Sequence, residues 1–195
     1  MKLSGANNMK TQTIGYMKEN GMIQLSKWQR FWHFYVVIFL CIIPVLLTYD
    51  LAVDYFKGSS VHKSYPAIYF VLGYAPLLMA IILFFIQLRR LRFSIIPVSV
   101  DVETFHESVK ATAKELHWEI LEKKSSLIVA KSGFSWQSWG ERITIVRKKD
   151  SILFNSICDP DNKTSIASWG RNKKNRERFE LHLLQTVSTP KNQTV

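Results

Sequence analysis

Residues 66–88 run for twenty-three positions without a charge and are followed by Arg89, Arg90 and Arg92. A helix of that length extends about 34 Å at 1.5 Å per residue, enough to cross a hydrocarbon core of about 30 Å. The stretch therefore predicts a membrane span, with the arginines at its cytoplasmic end. A second apolar run precedes it, since no charge falls between Phe31 and Tyr49. Together they predict a transmembrane hairpin over residues 27–93, with spans at about 31–50 and 66–88.

The flanks agree with that reading. Trp28, Phe31, Trp32 and Tyr35 recur at three and four beside Lys27 and Arg30, the pattern of an aromatic belt at headgroup depth. His33 falls at the same boundary and reads as an interfacial residue. Pro44 removes a backbone donor and predicts a kink in the first helix. Residues 50–65 form a polar link that balances Asp50 and Asp54 with Lys57 and Lys63. The cations gather at both outer ends of the hairpin, so the positive-inside rule places both termini in the cytoplasm of a multi-pass inner-membrane protein. Neither span carries Asp, Glu, Lys, Arg or His near its centre, which argues for an anchor over an ion pathway. Gly73, Ala75, Pro76 and Ala80 offer small surfaces for helix approach.

Location explains the composition. The chain of 195 residues is 47% hydrophobic with a formal net charge of +11, but the apolar residues concentrate between Phe31 and Leu88 and much of the basicity flanks them. A nucleic-acid binder would instead carry its basic patch on a folded domain. Cys41 and Cys158 lie too far apart for a disulfide framework or a cysteine zinc site. Residues 1–26 are polar with no sustained apolar period, predicting disorder. Met1, Met9, Met17 and Met22 all remain candidate translation starts.

After Phe93 the periodicities become those of a small cytoplasmic α+β domain, residues 94–187, ordered strand, helix, antiparallel strands, helix. Residues 95–100 read as a strand. Asp101 caps a helix whose Val102, Phe105, Val109, Thr112, Ala113 and Leu116 form one stripe. Residues 117–122 and 126–131 read as paired strands, as do 141–148 and 151–158. Ile143, Ile145, Ile152 and Phe154 point inward by alternation, against Arg142, Thr144, Ser151 and Leu153. Residues 172–185 read as a closing helix with Phe179, Leu183 and Leu184 on one side, before a loose tail at 188–195.

Two features carry candidate chemistry. Ser138, Trp139, Gly140 recurs as Ser168, Trp169, Gly170. That echo suggests that Trp136, Trp139 and Trp169 gather on one edge of the sheet as a contact surface, since rigid rings bind at low entropic cost; shared turn geometry is the plain alternative. The second feature is Gly170 leading into Arg171, Asn172, Lys173, Lys174, Asn175 and Arg176, a basic helix start suited to anionic lipid headgroups. Its plain alternative is an Asn172 cap with solvated cations. No P-loop, dinucleotide fingerprint or nucleophile elbow occurs, so neither a cofactor nor a catalytic residue is assigned. His62, His106, His117 and His182 stand apart in sequence, Cys158 reads as a strand-end core residue, and the turn at residues 159–162 lacks calcium-loop spacing.

Residues 102–118, 151–158, and Gly170, Asn172 and Asn175 before the last helix together resemble a bacterial family of small α+β domains of unknown function. The resemblance implies a helix, then strands, then a basic final helix, and no particular role. The expectation is a non-enzymatic protein whose hairpin holds an α+β module at the lipid surface, where it engages a membrane protein partner or anionic headgroups. Its contact residues are Trp136, Trp139, Trp169, Arg171, Lys173, Lys174 and Arg176. Trp28, Trp32, Arg89, Arg90 and Arg92 set the anchor. The alternatives are an enzyme on a lipid-linked or phosphorylated substrate, with His117, Cys158, Asp159 or His182 converging in a cleft, and a structural subunit of a larger membrane complex.

Overall fold

The computed structural model describes residues 11–58, 66–133, 140–161 and 170–188, with the side chains at 11–13, 66 and 68–70 left aside. The chain divides into two units: residues 30–89, and the segments on either side of them taken together.

The first unit is a pair of long apolar helices, α2 (Lys27–Lys57) and α3 (Pro66–Arg90). The start of one meets the end of the other: His33 Nε2 lies 3.2 Å from the Gln87 carbonyl oxygen, and the rings of Phe34 and Phe84 are 5.5 Å apart. Further along, a Cβ at Gly73 would sit 3.7 Å from Leu47 Cδ1. The pair is therefore antiparallel, with Val37 and Ala80 buried in its seam. His33 reaches a carbonyl of the last helical turn, where no intrahelical donor remains. Away from the seam the surface is apolar and exposed, as at Phe39, Ile42, Leu46, Leu72, Leu78, Ile82 and Phe85. Both helices are long and apolar enough to cross a membrane.

The polar link expected from Asp50 begins later, because α2 continues to Lys57. Residues 50–57 contain neither glycine nor proline, so nothing stops the helix before Gly58. Gly58 adopts φ 69°, and its N–H donates to the Tyr55 carbonyl at 3.3 Å.

The second unit is built on a five-stranded sheet. Its strands are β1 (Ser94–Ile96), β2 (Trp118–Lys123), β3 (Leu127–Ser132), β4 (Glu141–Arg147) and β5 (Ile152–Cys158). They lie in the order β1-β5-β4-β3-β2 and every neighbour is antiparallel. One face carries α4 (Val102–Leu116) and α5 (Arg171–Ser188). Asp101 caps α4 as its sequence predicts, accepting from the Thr104 N–H, and His117 ends it at φ 52°. The stripe Phe105, Val109, Ala113 meets Ile128, Ala130, Ile143, Ile145, Ile152 and Phe154, with Phe179 and Leu183 from α5. Phe179 stacks on Phe154 at 5.5 Å. The first strand is shorter than its expected 95–100, and Val98 and Val100 instead pack against this core.

The other face differs from the expectation. Alternation sends Thr144 and Leu153 outward, yet both are buried, together with Leu127, Val129, Val146, Asn155 and Ile157. A second difference lies at the N-terminus. Residues 11–26, expected to be disordered, contain α1 (Thr11–Asn20) and an extended segment that joins the sheet unit. Met17, Ile23, Leu25, Leu91 and Phe93 are buried without belonging to the helix-side core. Met22 bridges Arg92, with the Ile23 N–H donating to the Leu91 carbonyl and the Phe93 N–H to Gly21. A fully buried apolar side chain contributes roughly 1.5–3 kcal/mol and a net hydrogen bond roughly 0.5–1.5 kcal/mol. Burial of Met17, Ile23 and Leu25 thus holds the segment more than its bridge does. The sheet domain is made from both ends of the chain, and residues 94–187 are only part of it.

Candidate functional site at the loop end of the sheet

The sheet has two unlike ends. At one, tight turns join β2 to β3 and β4 to β5, and side chains staple them. His106 Nε2 meets the Lys124 carbonyl at 3.1 Å, Arg147 donates to the carbonyls of Val100 and Ser125, and Ser99 donates to Lys149. At the other end, β3, β4, β5 and α5 are connected by the segments that carry the repeated Ser-Trp-Gly. The described side chains rooting those segments form a polar cluster.

On the helix side, Glu141 is fully buried at the first position of β4. Its carboxylate accepts from the Ser132 hydroxyl and lies 3.3 Å from Arg171 Nε at the start of α5. The Glu141 N–H in turn donates to Ser132 Oγ at 2.9 Å. Next to it, Asn175 donates to Ser156 Oγ, and Ser156 donates to Asn172 Oδ1. A lone buried carboxylate would be costly; a guanidinium and a hydroxyl together satisfy it. These contacts lock the first turn of α5 against β4 and β5.

On the second face, Asp159 is 4% exposed between Lys131 Nζ at 3.0 Å and Arg142 at 3.5 Å. Arg142 also pairs with Asp161. Asp161 then accepts from Gln29 Nε2 at 2.9 Å. Gln29, the third residue of α2, at the same time closes a capping box with Ser26. Its N–H donates to Ser26 Oγ and its Oε1 accepts from the Ser26 N–H, which fixes the start of α2. One glutamine side chain therefore ties the N-terminal segment of the sheet unit to the residues just beyond β5. The returning chain is held as well: Asn155 Nδ2 donates to the carbonyls of Arg90 and Arg92 at 2.8 and 2.7 Å.

Gly140 shows why this end tolerates little change. It stands at φ 100°, and a Cβ there would come within 2.9 Å of the Ser132 carbonyl oxygen. Only glycine fits that close approach of two backbones. The first Ser-Trp-Gly thus has a definite reason for its last residue. Gly170 also has positive φ, at 83°, just before α5.

Trp136, Trp139 and Trp169 lie outside the described residues, but the roots of their two segments are adjacent through Ser132, Glu141 and Arg171. Of the expected cations, Arg171 turns to Glu141. Lys173 pairs with Glu177 at 3.7 Å while its side chain stays 81% exposed. Lys174 is exposed, and Arg176 pairs with Glu180 at 2.8 Å. Trp28 is 65% exposed at the start of α2, and Trp32 packs its ring between Phe31 and Tyr35. Arg89 and Arg92 are exposed and Arg90 is half-buried. His117, Cys158, Asp159 and His182 do not converge. His117 ends α4, His182 meets Glu115 at 2.6 Å, Cys158 ends β5 opposite Glu141, and Asp159 just beyond it pairs with Lys131 and Arg142.

Sequence reasoning missed Ser132, Glu141, Arg142, Asn155 and Gln29, and named Asp159 only as part of a catalytic cleft. The signal for Glu141 was an acid at the start of an apolar strand, a position that demands a partner. Gln29 was readable as the end of a Ser-x-x-Gln capping box.

Fold and site together define an antiparallel α+β unit and, as a separate unit of the same chain, a pair of long apolar helices. No family model, curated protein or solved structure matches the chain.

Proposed function

We propose that the protein is a non-enzymatic membrane-anchored binding module. Its apolar helix pair spans the inner membrane twice with both ends in the cytoplasm, and it holds the α+β domain at the lipid surface to engage a protein partner or anionic headgroups. The observation that carries this reading is the apolar exposure of α2 and α3. Side chains such as Phe39 at 52%, Leu46 at 62%, Leu78 at 61% and Phe85 at 60% face outward on both helices. Surface of that extent is not left in water by a soluble monomer. Two crossings are further supported by the Met22–Arg92 bridge, because residues 21–29 and 90–93 belong to one folded unit and so share a side of the membrane. The contact residues proposed are Trp136, Trp139, Trp169, Arg171, Lys173, Lys174 and Arg176.

Carbonate extraction of native membranes tests the anchor: the protein should stay in the pellet, and release into the supernatant would remove the spanning role. Orientation is tested by single cysteines. With Cys41 and Cys158 replaced by alanine, an impermeant reagent added outside should modify Ser59→Cys and spare Lys149→Cys, an exposed position of the sheet unit, until the membrane is opened. The reverse pattern would overturn the cytoplasmic placement.

A further inference from the structure

We infer that the last two turns of α2, residues 50–57, seat in the headgroup zone of the far leaflet as an amphipathic foot, with a charged stripe toward water and an aromatic side toward lipid. The inference rests on the membrane reading above, adds a second lipid contact to it, and involves α2 alone. The helix is longer than the membrane it crosses. Its 31 residues extend about 46 Å at 1.5 Å each, against a hydrocarbon core of about 30 Å. The charge-free run from Phe31 to Tyr49 fills that core at about 28 Å, so residues 50–57 reach about 12 Å beyond it. The headgroup zone is only about 6 Å deep on each side. An upright helix would therefore hold Tyr55 and Phe56, 82% and 86% exposed, in water.

Three features turn it aside instead. Pro44 deprives the Leu40 carbonyl of its usual helical donor, and the Thr48 hydroxyl donates back to the Pro44 carbonyl at 2.6 Å. Each is a known cause of helix bending, and both fall shortly before Asp50. Next, the charges gather on one side. Asp50, Asp54 and Lys57 are spaced i, i+4, i+7 and share a narrow stripe, while Leu51, Ala52, Tyr55 and Phe56 occupy the rest of the circumference. Positions 50 and 54 thus face one way, and 52 and 56 the other. Finally, the apolar side is continuous with the spanning part. Ile42, Val45, Leu46, Tyr49, Ala52 and Phe56 recur at three and four and are all exposed, so the surface offered to lipid runs unbroken past the last charge-free turn. Aromatic rings suit the headgroup zone, and a helix polar on one side lies in the plane of that zone.

The test uses the full chain in vesicles of phosphatidylethanolamine and phosphatidylglycerol. Cys41 and Cys158 are replaced by alanine, and a nitroxide is placed in turn at Asp50→Cys, Ala52→Cys, Asp54→Cys, Phe56→Cys or Phe39→Cys. Collision with a water-soluble nickel complex should alternate, several-fold higher at 50 and 54 than at 52 and 56. Adding Tyr49→Ser and Tyr55→Ser should flatten the alternation; one that survives undiminished shows that the rings do not seat the helix and overturns the inference. A steady rise from 50 to 56, with the label at 39 deep in lipid, describes an upright helix in water and overturns the foot while leaving the anchor intact. Uniform protection at all four positions places the segment in hydrocarbon and also overturns it. A label at 39 that meets the nickel complex freely overturns the anchor and the foot together. An alternation that needs added membrane protein assigns this side of α2 to a protein partner and likewise overturns the inference.

Discussion

Asn155→Ala probes how the returning chain is held. The Asn155 side chain is 5% exposed, and its amide group spends both hydrogens on backbone carbonyls, Arg90 at 2.8 Å and Arg92 at 2.7 Å. Alanine removes both bonds and supplies nothing in return. At roughly 0.5–1.5 kcal/mol each the loss is roughly 1–3 kcal/mol, or about 5- to 150-fold in the opening equilibrium of the segment they hold. Hydrogen exchange reads that opening directly, because the Ile23 and Phe93 amides are protected by the bridge to Leu91 and Gly21. Their protection should fall by that factor in detergent micelles, while the Ile145 amide in the centre of the sheet keeps most of its own. Asn155→Asp, the same size but with an acceptor aimed at two carbonyls, should open the segment further than alanine does. Unchanged protection at Ile23 and Phe93 in the alanine variant, or an aspartate variant like the original, would refute the argument.

Three further outcomes follow from packing. Gly140→Ala must adopt φ near 100° and place its Cβ 2.9 Å from the Ser132 carbonyl oxygen, so thermal unfolding should show a loss of about 2 kcal/mol or more. Phe179→Ala empties a fully buried site stacked on Phe154 and should cost about 3–5 kcal/mol by the same measure. Met17→Ala should cost about 2–5 kcal/mol, because Met17 is fully buried. A value below about 0.5 kcal/mol, the scale of a surface change, would mean that the N-terminal segment is not part of the folded unit.

Much of this fold was legible where one period dominated. The Asp101 cap, the Phe105–Val109–Ala113 stripe and all four longer strands fall within a residue or two of their sequence positions. The miss at residues 11–26 has a physical cause that was also on the page. Leu127 to Ala130, Ile143 to Val146 and Ile152 to Phe154 are near-continuous apolar runs, and a strand covered on both faces reads that way. The two helices following β1 cover one face only. A sheet of that kind needs more apolar residues around it than two helices supply, and Met17, Ile23 and Leu25 are buried in the same unit. The site was less legible because its members are joined across sequence, as Gln29 is to Asp161 or Arg171 to Glu141. Charge pairs of that kind have no period, and only the strand register brings them together.

The Met22–Arg92 bridge also bears on the order in which the molecule is made. Closing a flexible loop over residues 23–91 costs roughly 4 kcal/mol in chain entropy, more than one isolated bridge returns. The antiparallel pairing of α2 with α3 removes most of that cost beforehand, since it already brings the two ends of the loop together. The helix pair therefore assembles first, and the bridge closes on ends held near each other. Met17, Ile23 and Leu25 leave the ribosome before any of their seat exists, and they wait uncovered until β3, β4 and β5 have been synthesised. For that interval the N-terminal segment is an adhesive arm whose apolar side chains stand uncovered.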